Sequence, residues 1–483
     1  MQRIILTLVL ITVAMIFSFH GCKNRSAKQK KPNIALIYID DMGYGDLSCY
    51  GDKVIPTPNI DRLAEEGLRF TQFYVNSPIC SPSRVALNTG MYPMRHRIHS
   101  YIASSEQNEN RAMADYLDPS VPFMARTLKN HGYATGHFGK WHMGGGRDMG
   151  DVPHPIEYGY EKSLVSFEGI GDRVLFPDDN LSRQSAELGS GEIIWAEKSQ
   201  STSIYVDSTL AFIERCNDEP FYVSLNPNDV HDPFLPDSNQ LEKWKDVTEN
   251  PYEQKFFAVL EELDNQIGRF IQELDKMGKL DNTLILFASD NGPTDWPHYY
   301  KESAYPETYD GEMYPPGFTG GLAGRKWSLY EGGIREPFIV YWKGHVPEGK
   351  VDRETVISAM DIYPSICSVL GIGIPENIDG TDKSQAFKGS PVKDVPPLMW
   401  EYASNPGGSI LPGNPQNISP NLAIRDGDWK LLINADGTEG ELYNLEKDPE
   451  EKNDLYEQRP EKVYQLKENI MEWRKSMPVD IPQ

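Results

Sequence analysis

Cysteine is scarce in this chain: Cys22, Cys49, Cys80, Cys216 and Cys367 are the five among 483 residues. No two of them stand in C-x-x-C spacing, which argues against a zinc knuckle, a dithiol redox centre or a disulfide-built scaffold. Positive charge is short as well, with 47 lysines and arginines against 71 aspartates and glutamates, a formal net charge of −24. Such a field repels nucleic acid and other polyanions, so an anionic ligand needs a concentrated local pocket of cations. Long apolar runs are missing except near the start, where residues 4–19 follow Arg3. That run falls short of the ~20 residues that a membrane span takes.

The apolar start is expected to be an export signal over residues 1–22, with the polar residues 23–31 as a tether. Gly21 followed by Cys22 resembles a bacterial lipoprotein box, which implies a lipid on Cys22 and a periplasmic or cell-surface protein attached to the membrane only through that anchor.

The remainder has the composition of a folded protein, 39% hydrophobic and 11% aromatic, and is long enough for a large core. Short β-rich runs at residues 33–40, 134–138, 221–225, 283–289 and 338–341 alternate with helical patterns at 59–66, 121–129, 205–215 and 253–277. Alternation of this kind predicts an α/β fold with a large, mostly parallel sheet flanked by helices, and a site at the carboxyl ends of its strands. Near residue 391 the texture changes to short strands and tight turns at 398–402, 421–425, 429–433 and 441–445, then a helix over 460–475. Residues 32–390 are therefore expected to form a catalytic domain and 391–483 a subdomain of antiparallel sheet plus helix. The Gly/Pro/Tyr-rich residues 293–321 are too long for a simple connection and suit a functional loop, though a solvated insertion fits equally.

Two of the predicted strands end in oxygen ligands, Asp40-Asp41 and Asp290-Asn291. In one parallel sheet these four side chains meet at one edge. Three carboxylates and an amide suit a hard divalent ion such as calcium, although acids at a strand end also cap helices. The stretch SPICSPSRVALNTG, residues 77–90, then places Cys80 at or just before a helix N-terminus, which favours negative charge. A thiolate nucleophile would suit that position, but thiolates are poor ligands for calcium.

The CSPSR stretch, Cys80 to Arg84, resembles the C-x-P-S-R signature of type I sulfatases. Similar anchors follow in the family's order: DDMGYGD at 40–46, TPNIDRLAEEG at 57–67, GKWHMG at 139–144, SDNG at 289–292, YEGGIREP at 330–337 and LYNLEKDPEEKNDL at 442–455. The resemblance implies an alkaline-phosphatase-like fold and hydrolysis of O-sulfate esters. It implies that a sulfatase-maturating enzyme oxidises Cys80 to Cα-formylglycine (3-oxoalanine), whose hydrate attacks sulfur and passes through a sulfoenzyme intermediate. By the same resemblance Asp40, Asp41, Asp290, Asn291 and the modified Cys80 hold one calcium ion, and Arg84 orients the hydrate. Lys140 and Lys326 bind the sulfate, Asp290 helps activate the attacking hydroxyl, His142 takes the second proton of the hydrate, and His231 protonates the leaving oxygen.

The match is looser in two places. Where the family often has Pro-His-x-Pro, this chain has Val230-His231-Asp232-Pro233, and residues 161–201 carry no family anchor. Specificity is expected there and in the 293–321 loop, with Trp296, Tyr299 and Glu168 as possible liners of a sugar subsite. The expected substrate is a sulfated glycan, with galactose or N-acetylgalactosamine sulfate as the candidate sugars. Two alternatives stand beside it: a phosphoesterase or phosphonate hydrolase of the same superfamily, and a non-catalytic glycan-binding surface lipoprotein.

Overall fold

The computed structural model describes residues 30–295, 315–404 and 410–478, and the compact unit considered below begins at Asn33. The expected export signal, the lipidation site Cys22, and Trp296 and Tyr299 of the predicted loop lie outside the described residues. No helix among the described residues is long and apolar enough to cross a membrane.

Eleven strands among the described residues form one sheet: β1 (Asn33–Ile39), β2 (Leu68–Tyr74), β3 (Ala134–Lys140), β4 (Lys162–Ser166), β5 (Arg173–Leu175), β6 (Ile193–Trp195), β7 (Phe221–Asn226), β8 (Thr283–Ser289), β9 (Arg335–Tyr341), β10 (Lys350–Asp352) and β11 (Ile357–Ser358). Their order is β10-β2-β9-β8-β1-β7-β3-β4-β5-β6, with β11 beside β2. Pairing is parallel except where β9 runs against both β2 and β8. The predicted parallel α/β sheet is therefore present, with one reversed strand.

β1, β7 and β8 are buried along their whole length because both faces of the sheet are covered. With a side-chain period of two, alternate residues of β1 enter different cores. Ile34, Leu36 and Tyr38 join one, and Ala35, Ile37 and Ile39 the other. The second core is closed by helices Pro58–Glu65, Ser201–Arg215 and Pro251–Lys276. The last starts at Asn250, whose side chain caps the amides of Tyr252 and Glu253, with Pro251 in the first turn. On the opposite face lie Cys80–Thr89, Met124–Asn130 and Ile362–Leu370.

The tail forms the expected antiparallel layer of β12 (Leu398–Glu401), β13 (Leu422–Asp426), β14 (Trp429–Ile433) and β15 (Glu441–Asn444), with helix Pro460–Ser476. Leu422, Ile424, Leu431, Ile433 and Leu442 pack on Val463, Leu466 and Ile470 of that helix. The alternate residues Ala423, Leu432 and Tyr443 enter the first core of the large sheet.

Several elements were not anticipated. β2 (LRFTQFY) mixes polar with apolar residues because Arg69 and Gln72 are only half-buried. β4 to β6 extend the sheet through the segment that carried no family anchor, on strands too short for periodicity to show. The helix predicted over 121–129 begins at Met124, beyond Pro122.

Candidate active site

Register builds the site. Ile39 lies opposite Ser289 in the β1–β8 pair, so Asp40 and Asp290 follow at one level on the same edge. On the other side β1 pairs with β7 and β7 with β3, bringing Asn226 and Lys140 to that edge. Gly139 has φ +111°, and a Cβ there would stand 1.9 Å from the carbonyl oxygen of Asn226, so only glycine lets β3 approach so closely. Cys80 is the first residue of helix Cys80–Thr89, after the extended Ile79. Asp41 and His142 both adopt left-handed backbone, at φ 59° and 51°, a conformation that non-glycine residues hold only where the surroundings enforce it.

Asp40, Asp41, Cys80, Arg84, Lys140, His142, His231, Asp290, Asn291 and Lys326, the catalytic and metal-ligand residues that the sequence nominated, come together at this edge. Lys140 Nζ lies 2.7 Å from both oxygens of Asp40, and Lys326 Nζ lies 2.5 and 2.7 Å from those of Asp41. The Arg84 guanidinium pairs with Asp290 at 2.7 Å and donates to Asn226 Oδ1 at 3.1 Å. The Asp41 amide donates to Asp290 Oδ1 at 3.1 Å, and Asn291 Nδ2 donates to Asp41 Oδ1 at 2.7 Å. These side chains are buried, which makes each uncompensated charge costly.

The electrostatics reflect that crowding. Burial pushes Asp290 up to about 6 despite Arg84, with Asp40 adding to the rise. Burial would raise Asp40 too, but Lys140, His231 and Arg84 hold it below the usual carboxylate range. Carboxylates this close separate in acidity when no further cation neutralises them. Burial raises the Cys80 thiol in spite of Lys140 and Lys326, so it is not a poised thiolate. Burial, with Lys140 and Arg147, keeps His142 neutral, and its Nε2 lies 3.3 Å from the carbonyl oxygen of Ile102. Burial also lowers His231 to about 4, against the pull of Asp41 and Asp40. Its Nδ1 faces the carbonyl of Asp232 at 2.5 Å and its Nε2 stands 3.6 Å from Asp41.

The donor set suits a hard cation. Ligand atoms of Asp40, Cys80 and Asp290 lie within 4.8 Å of one another, as do those of Asp40, Asp41 and His231. Asn291 Oδ1 is buried without a hydrogen-bond partner among the described residues, although its amide nitrogen is committed to Asp41. An orphaned amide oxygen beside three carboxylates is what an oxygen-preferring ion would satisfy.

A cavity of about 400 Å³ opens over these groups, lined by Asp40, Cys80, Lys140, His142, His231 and Lys326. Sequence reasoning missed Arg147, Phe167, Lys198, Asn228 and Asp232, which also line it. Asn228 and Asp232 were visible in the NDVHDPF stretch, whereas nothing local marked the others. Glu168 is not a liner of this cavity: it is buried beside it in a smaller one and ion-paired to Arg147.

The sequence profile described as Sulfatase matches residues 32–372, and that described as N-sulphoglucosamine sulphohydrolase, C-terminal, matches 323–476. The chain belongs to the sulfatase family. Its chemistry is that of a sulfuric ester hydrolase. An N-acetylgalactosamine-6-O-sulfatase of Bacteroides thetaiotaomicron is 30% identical, the alignment covering 92% of this chain and 94% of that one. Human arylsulfatase A is also 30% identical, over 85% of this chain and 76% of its own. Among solved structures, a Bacteroides thetaiotaomicron protein described with the metabolism of multiple glycosaminoglycans (BT33336S-sulf) superposes with a TM-score of 0.71 at 27% identity, covering 92% of this chain and all of that one. A phosphonate monoester hydrolase of Agrobacterium radiobacter, 20% identical with a TM-score of 0.63, shares the fold alone. The comparisons thus favour the sulfatase reading over the phosphoesterase alternative.

Proposed function

We propose that this sulfatase removes an O-sulfate from a sulfated glycan, with N-acetylgalactosamine 6-sulfate or galactose 6-sulfate as its sugar unit. The observation that carries the reading is the convergence of Lys140, Lys326, Arg84 and Cys80 with four oxygen ligands at one sheet edge, beneath a cavity large enough for a sugar. The name of the Bacteroides relative supports the choice of sugar.

Asp40, Asp41, Asp290 and Asn291 would hold a calcium ion, which supplies positive charge against the sulfate oxygens. Cys80, oxidised by a sulfatase-maturating enzyme, would supply as Cα-formylglycine hydrate the hydroxyl nucleophile that a buried neutral thiol cannot. Lys140 and Lys326 line the cavity beside Cys80. Once the carboxylates are neutralised, these two ammoniums are placed to bind sulfate oxygens and to stabilise charge on the reacting group. Arg84 keeps Asp290 and Asn226 in register beneath the nucleophile. His142, neutral and deeply buried, is suited to accept a proton. His231 is neutral without substrate, and an anionic sulfate ester at its Nε2 would raise its basicity so that it arrives protonated at the leaving oxygen.

The residue 1–22 signal and the lipid on Cys22 complete the proposal with an exported, membrane-tethered enzyme. Loss of the protein from the membrane fraction in Cys22→Ser tests that part. For the activity, protein from a maturation-competent host is assayed for sulfate release from both sugar sulfates and from an aryl sulfate, with the aryl phosphate in parallel. Mass analysis of the peptide containing residue 80 reports the aldehyde. Sulfate release that vanishes in Cys80→Ala supports the reading; aldehyde-bearing protein that prefers the phosphate, or cleaves nothing, refutes it.

A further inference from the structure

The same cavity also has a lining that the proposed sulfate chemistry does not use. Its other cations are already engaged: Arg147 by Glu168, and Lys198 by the carbonyl oxygens of His231, at 2.5 Å, and Pro233, at 2.8 Å. Lys198 thereby fixes the main chain on either side of Asp232. The Asp232 side chain is itself anchored from behind, because the hydroxyl of Tyr252 donates to Oδ1. Tyr252 stands in the capped first turn of helix Pro251–Lys276, a rigid support.

Asp232 is 3% exposed and lines the cavity, yet its Oδ2 has no hydrogen-bond partner among the described residues. Burial accordingly pushes its carboxyl up to about 7. Buried acceptors are normally satisfied, and a donor supplied from the cavity would satisfy this one. Asp178 and Glu197, both exposed, add negative charge to the same cavity. The cavity thus offers acceptors as well as the ammoniums of Lys140 and Lys326.

Resting on the sulfatase reading above, we propose that Asp232 reads the sugar: its Oδ2 accepts a hydrogen bond from a hydroxyl of the sulfated ring. With Asp178 and Glu197 it also disfavours rings that carry a second sulfate. The residue stands at the position that the Pro-His-x-Pro pattern leaves open, between His231 and Pro233, so a different side chain there would change which sugar is accepted without removing a sulfate-binding group.

The test measures kcat and KM of matured, calcium-loaded enzyme on three probes: the better of N-acetylgalactosamine 6-sulfate and galactose 6-sulfate, the 4,6-disulfate of the same sugar, and 4-nitrophenyl sulfate, which has no sugar hydroxyl. Asp232→Asn retains the volume and an oxygen for Tyr252 but puts an amide donor in place of the unpartnered acceptor. The ratio of sugar to aryl kcat/KM is expected to fall by about 10- to 100-fold, the scale of one hydrogen bond to a charged group, mostly through KM. The preference for mono- over disulfated sugar is expected to narrow in the same variant. Asp232→Glu, which keeps the charge, should retain more of that preference than Asp232→Asn. A ratio that does not move, equal losses on sugar and aryl esters, or wild-type enzyme that cleaves the disulfate as readily as the monosulfate would overturn the proposal. Sulfate release from any of the three esters by the wild type leaves the sulfatase reading standing through those results; release from none of them overturns that reading as well.

Discussion

Lys430 is fully buried and bridges two carboxylates, Glu331 and Glu451, at 2.9 Å each. Glu331 opens the EGGIREP stretch a few residues after Lys326, and its amide donates to Glu451 at 2.6 Å, so one ammonium ties the tail to the segment that carries a site lysine. Replacement by methionine, similar in length and uncharged, leaves two buried acids without that counter-charge. Breaking a buried pair by removing one partner costs about 3–5 kcal/mol. Arg335, 3.4 Å from Glu331, and the Tyr74 hydroxyl still attend one of the acids, so the lower end, about 3 kcal/mol, is expected.

The pH dependence follows from the two carboxyls. In the wild type, burial would raise Glu331, but Lys430 and Arg335 bring it down to about 2, so its pairing stabilises above about pH 4.5 and is lost as pH falls toward 2. Burial leaves Glu451 raised to about 7, so it costs stability as pH rises from about 4.5 through 7. Without Lys430 both folded-state values rise and the folded chain binds more protons than the unfolded one. The variant therefore recovers stability on acidification, and the difference from wild type is expected to be larger at pH 8 than at pH 5.5. Urea unfolding followed by tryptophan fluorescence at both values measures this. A Lys430→Met protein as stable as wild type at pH 8, or a difference that ignores pH, would refute the reasoning.

If the proposed ion is calcium, adding it to EDTA-treated wild-type protein at a hundredfold excess over its Kd should stabilise the fold by about 2.7 kcal/mol, and Asn291→Ala should show a smaller gain by calorimetry at the same calcium concentration. Lys326→Ala and Lys140→Ala should each lower kcat/KM by about 10²–10³, and each should weaken inhibition by inorganic sulfate, which reports binding apart from turnover. Glu336 is wholly buried with neither oxygen hydrogen-bonded among the described residues, and burial, with Asp290 and Asp46, holds its carboxyl well above the usual range. Its folded-state proton makes wild-type stability fall as pH rises above about 4.5, so Glu336→Gln, measured after EDTA treatment, should gain on wild type between pH 5 and 9. Parallel stability curves for the two proteins would contradict that assignment.

Much of the site was legible because its chemistry sits in short, locally unusual stretches. Acids directly after an apolar run (Asp40, Asp41, Asp290, Asn291), a cysteine between prolines and serines, and lysines in GKWH and GRKW are visible without any partner. The central strands were legible for a related reason: burial on both faces leaves an unbroken apolar run. What could not be read was pairing. β9 carries the same kind of residues as β8 but runs the other way. Lys140 grips Asp40 across 100 positions and Lys326 grips Asp41 across 285, and no local pattern distinguishes those bonds from a lysine in water.

The amino-acid order alone determined the alternation of strands and helices, the small antiparallel tail, and the residue types brought to the site, because hydrophobic period and turn chemistry act over a few neighbours. Tertiary structure alone decided the strand order, the reversed β9, the neutral state of His231, the Glu331–Lys430–Glu451 bridge and the unsatisfied oxygen of Asp232. Those properties arise from desolvation and from charges brought close by distant parts of the chain, and both exist only once the core has closed.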